Sequence, residues 1–183
     1  MKLRDSGMPD EQYWETLFDV PLILRELGIG PQIRDVAELG CGYGTFTIPI
    51  ARLVSGSVFT FDIDPAMVKR TKSRGVSLPI IAEVRDVMEH GFGLQADAVL
   101  LFNILHCHQP VRLLEHAADA LQPDGEVLVI HWRYGDTPRG PALRIRPKPE
   151  QIASWALATG RLRLKRGPID LPPWHYGFQF SRT

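Results

Sequence analysis

Cysteine is scarce in this chain: Cys41 and Cys107 are the only two among 183 residues. Two thiols can build neither a multi-bridge disulfide framework nor a four-thiolate zinc site. A single bridge remains open, and a reducing compartment argues against it. Long apolar runs are missing as well; none approaches the roughly 20 residues needed to span a bilayer. The opening Met1-Lys2-Leu3-Arg4-Asp5-Ser6 is polar and charged and holds no secretory apolar core, so the expectation is a cytoplasmic protein with no membrane partner. An excess of one charge is also absent, with 21 basic against 21 acidic residues, which removes one simple argument for nucleic-acid binding. No internal repeat and no low-complexity tract interrupts the chain.

What is present is an alternation of β-branched apolar runs with helix-like segments, the pattern of βαβ units around a parallel sheet in one domain. Pro9 to Leu27 reads as an amphipathic helix broken or kinked at Pro21. Strands are expected over Asp35–Leu39, Ser57–Phe61, Pro79–Val84, Asp97–Asn103 and Glu126–Ile130. Helices are expected over Gly44–Val54, from Pro65 with Asp64 as its cap, and over Pro110–Leu121. Pro123-Asp124-Gly125 reads as a turn. Beyond Trp132 the character changes. Arg133–Pro149 is a Pro-, Gly- and Arg-rich loop, Glu150–Thr159 a helix ended by Gly160, and the period-two stretches Arg161–Lys165 and Trp174–Phe180 an antiparallel hairpin. Arg133 to Arg166 carries nine basic residues against Asp136 and Glu150. That surplus of seven is either a solvated surface or a face that attracts an anion.

The strongest motif is Val36-Ala37-Glu38-Leu39-Gly40-Cys41-Gly42-Tyr43-Gly44. A buried strand runs into closely spaced glycines, which permit a tight turn and bring a ligand against bare backbone. Asp62 follows the second strand, where a carboxylate can accept both hydroxyls of a ribose. Asp86 follows the third, within reach of an adenine amino group. A nicotinamide-binding loop would place a third glycine at the sixth position, and here that position is Thr45. Glu38 also suits an ammonium or sulfonium better than a pyrophosphate.

At these residues the chain resembles the class I S-adenosylmethionine-dependent methyltransferases. Glu38–Gly44 matches the acidic residue and G-x-G-x-G loop of that family's first motif. Asp62-Ile63 matches the ribose carboxylate and its adenine-packing neighbour, and Asp86-Val87 the adenine-contacting pair. Asp97 to His106 matches the fourth-strand motif, and Leu121-Gln122-Pro123-Asp124-Gly125-Glu126 the turn before the fifth strand, departing at Asp124. The resemblance implies an α/β, Rossmann-like three-layer sandwich: a seven-stranded, mostly parallel sheet with an antiparallel last strand. It implies S-adenosyl-L-methionine as cofactor, held by Glu38, Gly40, Cys41, Gly42, Gly44, Asp62, Ile63, Asp86, Val87 and Asn103. One domain is expected, with residues 1–30 a helical lid, 31–132 the cofactor-binding core and 133–183 the loop, helix and hairpin. In detail the pattern is similar to the small ubiquinone/menaquinone-biosynthesis-type methyltransferases. An arsenite-methylating branch of that group needs several cysteines, which this chain lacks.

Methyl transfer from a sulfonium is an in-line displacement that needs alignment and water exclusion, with a general base only where the acceptor must lose a proton. His106, His108 and His131 are the candidate bases, beside the alternative that they only line or pack the site. His106-Cys107-His108 resembles a metal cluster, yet no remote carboxylate completes it, and no metal is expected. Tyr13, Trp14 and Phe18 are either an aromatic lid over the sulfonium or ordinary helix packing. Trp132, Arg133 and Tyr134 are candidate substrate contacts, and Trp174 and His175 packing residues. The expected partner is a small-molecule methyl acceptor, with the protein a monomer or homodimer. RNA or protein methylation, and a non-catalytic cofactor-binding module, are the alternatives. No N-P-P-Y-like motif supports the nucleic-acid form.

Overall fold

The computed structural model describes residues 8–183, so residues 1–7 of the expected lid lie outside the described residues. The most apolar strand lies at the centre of the sheet. In β4 (Ala96–Phe102), Ala98 to Leu101 are at most 1% exposed, as a parallel strand covered on both faces must be. β1 (Val36–Leu39) pairs with it in parallel, Val36 against Ala98 through Leu39 against Leu101. β2 (Val58–Asp62) and β3 (Ile80–Val84) continue the sheet outward, both parallel. On the other side stands β5 (Leu121–Trp132), parallel to β4. The chain then forms β6 (Leu162–Leu171) and β7 (His175–Arg182), and β7 inserts antiparallel between β5 and β6. The seven-strand order is β3-β2-β1-β4-β5-β7-β6, which is the architecture expected.

Alternate strand residues feed two cores, one on each face of the sheet. Ala37, Leu39, Val99, Leu101, Val127 and Val129 pack with α5 (Val87–His90), α6 (Pro110–Asp119) and α7 (Pro149–Ala158). Val36, Ala98, Leu100, Leu128 and Ile130 pack with α2 (Val20–Glu26) and α3 (Thr47–Ala51). α4 (Pro65–Arg74) starts as anticipated: Pro65 is in its first turn, and the Asp64 side chain accepts from the Ala66 N–H at 2.8 Å. Among the described residues no helix is long and apolar enough to cross a membrane.

Several local expectations are corrected. The first helix is two pieces, α1 (Glu11–Glu15) and α2, each capped by its own aspartate, Asp10 and Asp19. The break falls before Pro21, which sits in the first turn of α2, where a missing N–H costs nothing. The helix expected over Gly44–Val54 shrinks to α3, because the chain spends Gly42–Phe46 on a turn closed by Gly44 N–H donating to Cys41 O. Asp86 caps the short, unanticipated α5 through the Met88 N–H at 2.9 Å. Pro123-Asp124-Gly125 is no separate turn; it is absorbed into β5 as an irregularity, where the register jumps between Ala96/Leu121 and Ala98/Glu126.

Two histidines lie inside the sheet at zero exposure, His131 on β5 and His175 on β7. His175 stacks on Phe18 at 4.6 Å and tilts against Trp132 at 4.3 Å, and its ring nitrogens find no partner among the described residues. Burial, and then the charges of Arg133 and Arg146, push its pKa down to about 3. Burial, and then His106, hold His131 well below the usual histidine range. Both stay neutral in the fold but take up a proton in the unfolded chain below pH 6.5, so stability falls as pH drops through 6.5 toward 3. Glu38 works in the opposite sense, because its raised pKa favours the fold as pH falls from about 7 to 4.5. The difference between variant and parent isolates the histidine. H175F should lose about 2 kcal/mol less stability than the parent between pH 6.5 and 5. Urea unfolding at the two pH values measures this, and equal losses would refute it.

Candidate functional site

β1 ends on a buried carboxylate. Glu38 is 2% exposed, and its Oε2 accepts from the Thr47 hydroxyl at 2.5 Å and the Thr60 hydroxyl at 2.8 Å. Thr60 stands beside it because the parallel register pairs Glu38 with Thr60; Thr47 comes from the first turn of α3. Burial raises the Glu38 pKa to about 7 against the lowering effect of both hydroxyls, with Asp62 adding a further raise. Gly42 then turns the chain at φ +49, and a Cβ there would lie 3.1 Å from Met8 Cε. Only glycine meets both demands. Cys41 is buried, its thiol pushed up to about 12 chiefly by burial, so it contributes volume and backbone rather than a nucleophile.

Asp62 closes the turn from the next strand. Its Oδ2 accepts from the Gly42 N–H at 3.2 Å and its Oδ1 from the Asp64 N–H at 3.0 Å. Held from both sides, the carboxylate keeps one orientation, with acceptor capacity left for a ligand hydroxyl. A cavity of about 1050 Å³ opens above these strand ends, slightly beyond the ~300–1,000 Å³ of ordinary small-molecule sites. Glu38, Gly40, Cys41, Gly42, Asp62, Ile63, Asp86, Val87, Asn103 and His106 all line it. Two lining atoms, Thr45 Oγ1 and Asn103 Oδ1, are buried without a hydrogen-bond partner among the described residues. Carboxylates at one end, bare glycine backbone and orphaned acceptors on the wall suit a cofactor that brings hydroxyls, an amino group and a positive charge.

Other expected positions fall elsewhere. Gly44 lies behind the turn, packed on Ile48 and Thr71, and is not part of the cavity wall. His108 is exposed and His131 is sealed between β4 and β7; neither lines the cavity. His106 does, 6% exposed, its ring 5.5 Å from that of His131. Of the aromatic lid candidates only Trp14 reaches the wall. Tyr13 is 40% exposed, and Phe18 is buried beneath among Phe46, Trp132 and His175. Trp132 lines the cavity, whereas Arg133 pairs with Asp170 and Tyr134 stacks under Lys148. Three more of the basic segment's cations stand in ion pairs: Arg161 with Asp119, Lys165 with Glu126 and Arg166 with Glu26. Among the described residues no three His, Cys, Asp or Glu side chains group to hold a metal.

Some lining residues escaped the sequence reading. Phe46, Phe102 and Met67 supply apolar wall, and Thr137 to Pro141 with Arg146 close the end away from the glycine turn. The Glu38 clamp had one readable signal, since a parallel β1–β2 register brings the fourth position before Pro65's aspartate, Thr60, beside Glu38. Nothing in the local sequence distinguishes Arg146 from its basic neighbours.

Residues 36–125 match the family model described as a methyltransferase domain. No curated protein matches the chain. Among solved structures, a SAM-dependent methyltransferase from Aquifex aeolicus is similar with a TM-score of 0.81 and 20% identity, over 95% of this chain and 94% of that one. The N-methyltransferase NodS from Bradyrhizobium japonicum WM9 in complex with S-adenosyl-L-homocysteine is similar at 0.70 and 16%, over 97% and 89%. The mitomycin 7-O-methyltransferase MmcR is similar at 0.71 and 17%, over 90% and 54%.

Glu38 and Asp62 set the expected behaviour of this site. A cationic ligand binds the ionised form of Glu38, so S-adenosyl-L-methionine affinity should rise with pH and level off above about 7. E38Q should flatten that profile, and D62A should weaken binding about tenfold or more, the scale of a lost hydrogen bond to a charged group. Titration calorimetry from pH 5.5 to 8.5 reads both; a pH-independent parent would contradict the assignment of Glu38.

Proposed function

Because this chain carries a methyltransferase domain of the class I, S-adenosylmethionine-dependent fold, we propose that it transfers the cofactor's methyl group to a small-molecule acceptor by in-line displacement. The observation that carries this reading is the cavity: about 1050 Å³, running from the Glu38–Asp62 end to the Trp132–Arg146 end, room for a cofactor and a second small molecule together. Solved neighbours whose names state N- and 7-O-methyl transfer support a small acceptor. Ion pairs take up Arg133, Arg161, Lys165 and Arg166, four of the basic tail's nine cations, which reduces the charge open to a polyanion.

The cofactor, when bound, would supply an activated methyl carbon. The chain supplies position. Glu38 neutralises positive charge, Asp62 accepts from ribose hydroxyls, Ile63 and Val87 flank the adenine, and Asp86 accepts from its amino group. Gly40, Cys41, Gly42 and Asn103 complete the cofactor's surroundings, with Gly44 shaping the turn from behind. Trp14, Phe102 and Trp132 exclude water around the reacting carbon. His106 is the histidine on the cavity wall and takes the proton where the acceptor must lose one. A cytoplasmic setting belongs to the same reading, supported by Cys41 and Cys107 being buried and not joined in a disulfide.

Incubating the full chain with methyl-labelled S-adenosyl-L-methionine and a panel of phenols, amines, thiols and carboxylates tests this. Acceptor-dependent formation of S-adenosyl-L-homocysteine is expected. H106Q should lower turnover about a hundredfold for acceptors that must be deprotonated. Cofactor binding with no transfer to any compound would favour a non-catalytic binding module instead.

A further inference from the structure

The end of the cavity away from the glycine turn carries two arginines, Arg139 and Arg146, and Arg146 is the buried one. Arg146 is 7% exposed and lines the cavity. Its Nε donates to Pro141 O at 2.9 Å, and its Nη1 to Arg133 O and Gly135 O at 3.0 Å and to Thr137 Oγ1 at 2.7 Å. Its Nη2 carries two N–H groups and has one acceptor among the described residues, Arg139 O at 3.4 Å. Every one of these partners is neutral, and no carboxylate of the described residues lies in ion-pair range. A guanidinium stays charged even where burial lowers its pKa, as it does here. A buried cation without a counter-charge is costly unless a partner arrives.

The neighbours of Nη2 are shaped for close approach. Gly140 lies on the same wall at φ +116, and a Cβ there would fall 2.8 Å from Trp132 Cγ and 2.9 Å from Arg146 Nη2. A side chain at 140 would therefore collide with the indole and the guanidinium, so glycine is what lets the loop lie directly against both. Around it, Trp14, Phe46, Phe102 and Trp132 make the walls flat and aromatic. The opposite end holds Glu38, Asp62, Asp64 and Asp86, so the cavity runs from acidic to basic along its length.

We infer that the methyl acceptor is a flat, small molecule bearing a carboxylate, received by Arg146 beside Gly140 and Trp132. This rests on the small-molecule methyl-transfer reading above. A carboxylate oxygen accepts from the Nη2 N–H that the loop leaves without an acceptor and brings the missing negative charge, and a flat ring fits between aromatic walls. An acidic far end repels the same carboxylate, so the acceptor enters in one orientation, with its nucleophilic atom toward the cofactor.

The test compares matched pairs: benzoate, hydroxybenzoates, aminobenzoates and indole-3-acetate, each against its carboxamide, with phenyl phosphate as a further anion. Binding to the full chain saturated with S-adenosyl-L-homocysteine is followed by calorimetry. At least one carboxylate should bind about tenfold or more tightly than its amide, and more tightly than phenyl phosphate. R146M should erase the preference, and R146K should keep part of it, with far-UV circular dichroism as the folding control. Equal affinity for acid and amide in every pair, or preference for the phosphate, would overturn the proposal, and those parent measurements hold even where a variant fails to fold. Methylation of neutral acceptors with no acid preference would sink this inference while leaving the methyltransferase reading intact. Failure to bind S-adenosyl-L-homocysteine at all would overturn both.

Discussion

A carboxylate buried near the end of β1 is the constraint around which the glycine-turn end of the cavity is arranged. Removing an ionisable group from water without partners costs several kcal/mol, so Glu38 requires donors from outside its own strand. It takes one from β2 through Thr60 and one from α3 through Thr47. Those two bonds tie the end of β1 to β2, in the register the backbone ladder sets, and to the first turn of α3. The turn is locked a second time by Asp62, accepting from Gly42. The strand order reverses direction beside β1, between β2 and β4, and the crevice at such a reversal is where open α/β sheets hold ligands.

The far end of the cavity solves a different problem. Residues 133–148 contain no helix or strand, yet part of the stretch is buried. A loop of that kind would leave carbonyls unsatisfied. Arg146 supplies the missing donors, gathering oxygens from Arg133, Gly135, Arg139 and Pro141. One side chain thus does for this loop what a hydrogen-bond ladder does for a strand. Its charge remains on the wall, and the contrast with the carboxylates opposite gives the cavity its direction.

Much of the sheet was legible because its signals are local. Apolar runs marked each parallel strand, Asp64-Pro65 marked the start of α4, and the glycine motif with Asp62 and Asp86 marked one end of the cavity. The misreadings share a cause, which is dependence on distant partners. His131 follows the same strand-end logic as His106, yet β7 covers it, and that strand begins more than forty residues later. Arg166 reads as part of a basic patch until Glu26, 140 positions away, is placed beside it. The broken first helix and the shortened α3 show the other limit. Periodicity continued through Thr16–Asp19 and Gly44–Phe46, but side-chain caps and a tight turn took over the backbone.

β7 lies between β5 and β6 although it follows both in the chain. During synthesis, β6 therefore has no strand to pair with when it emerges, and the outer edge of β5 stays open until β7 arrives. The segment from β1 to β4, with its turn and acidic end, can be complete by then. The wall formed by Trp132 leans on His175 and on the Arg133–Trp174 main-chain bond, so it must wait. Translation order alone would thus assemble the two ends of one cavity at different times, the Glu38–Asp62 end first and the Trp132–Arg146 end last.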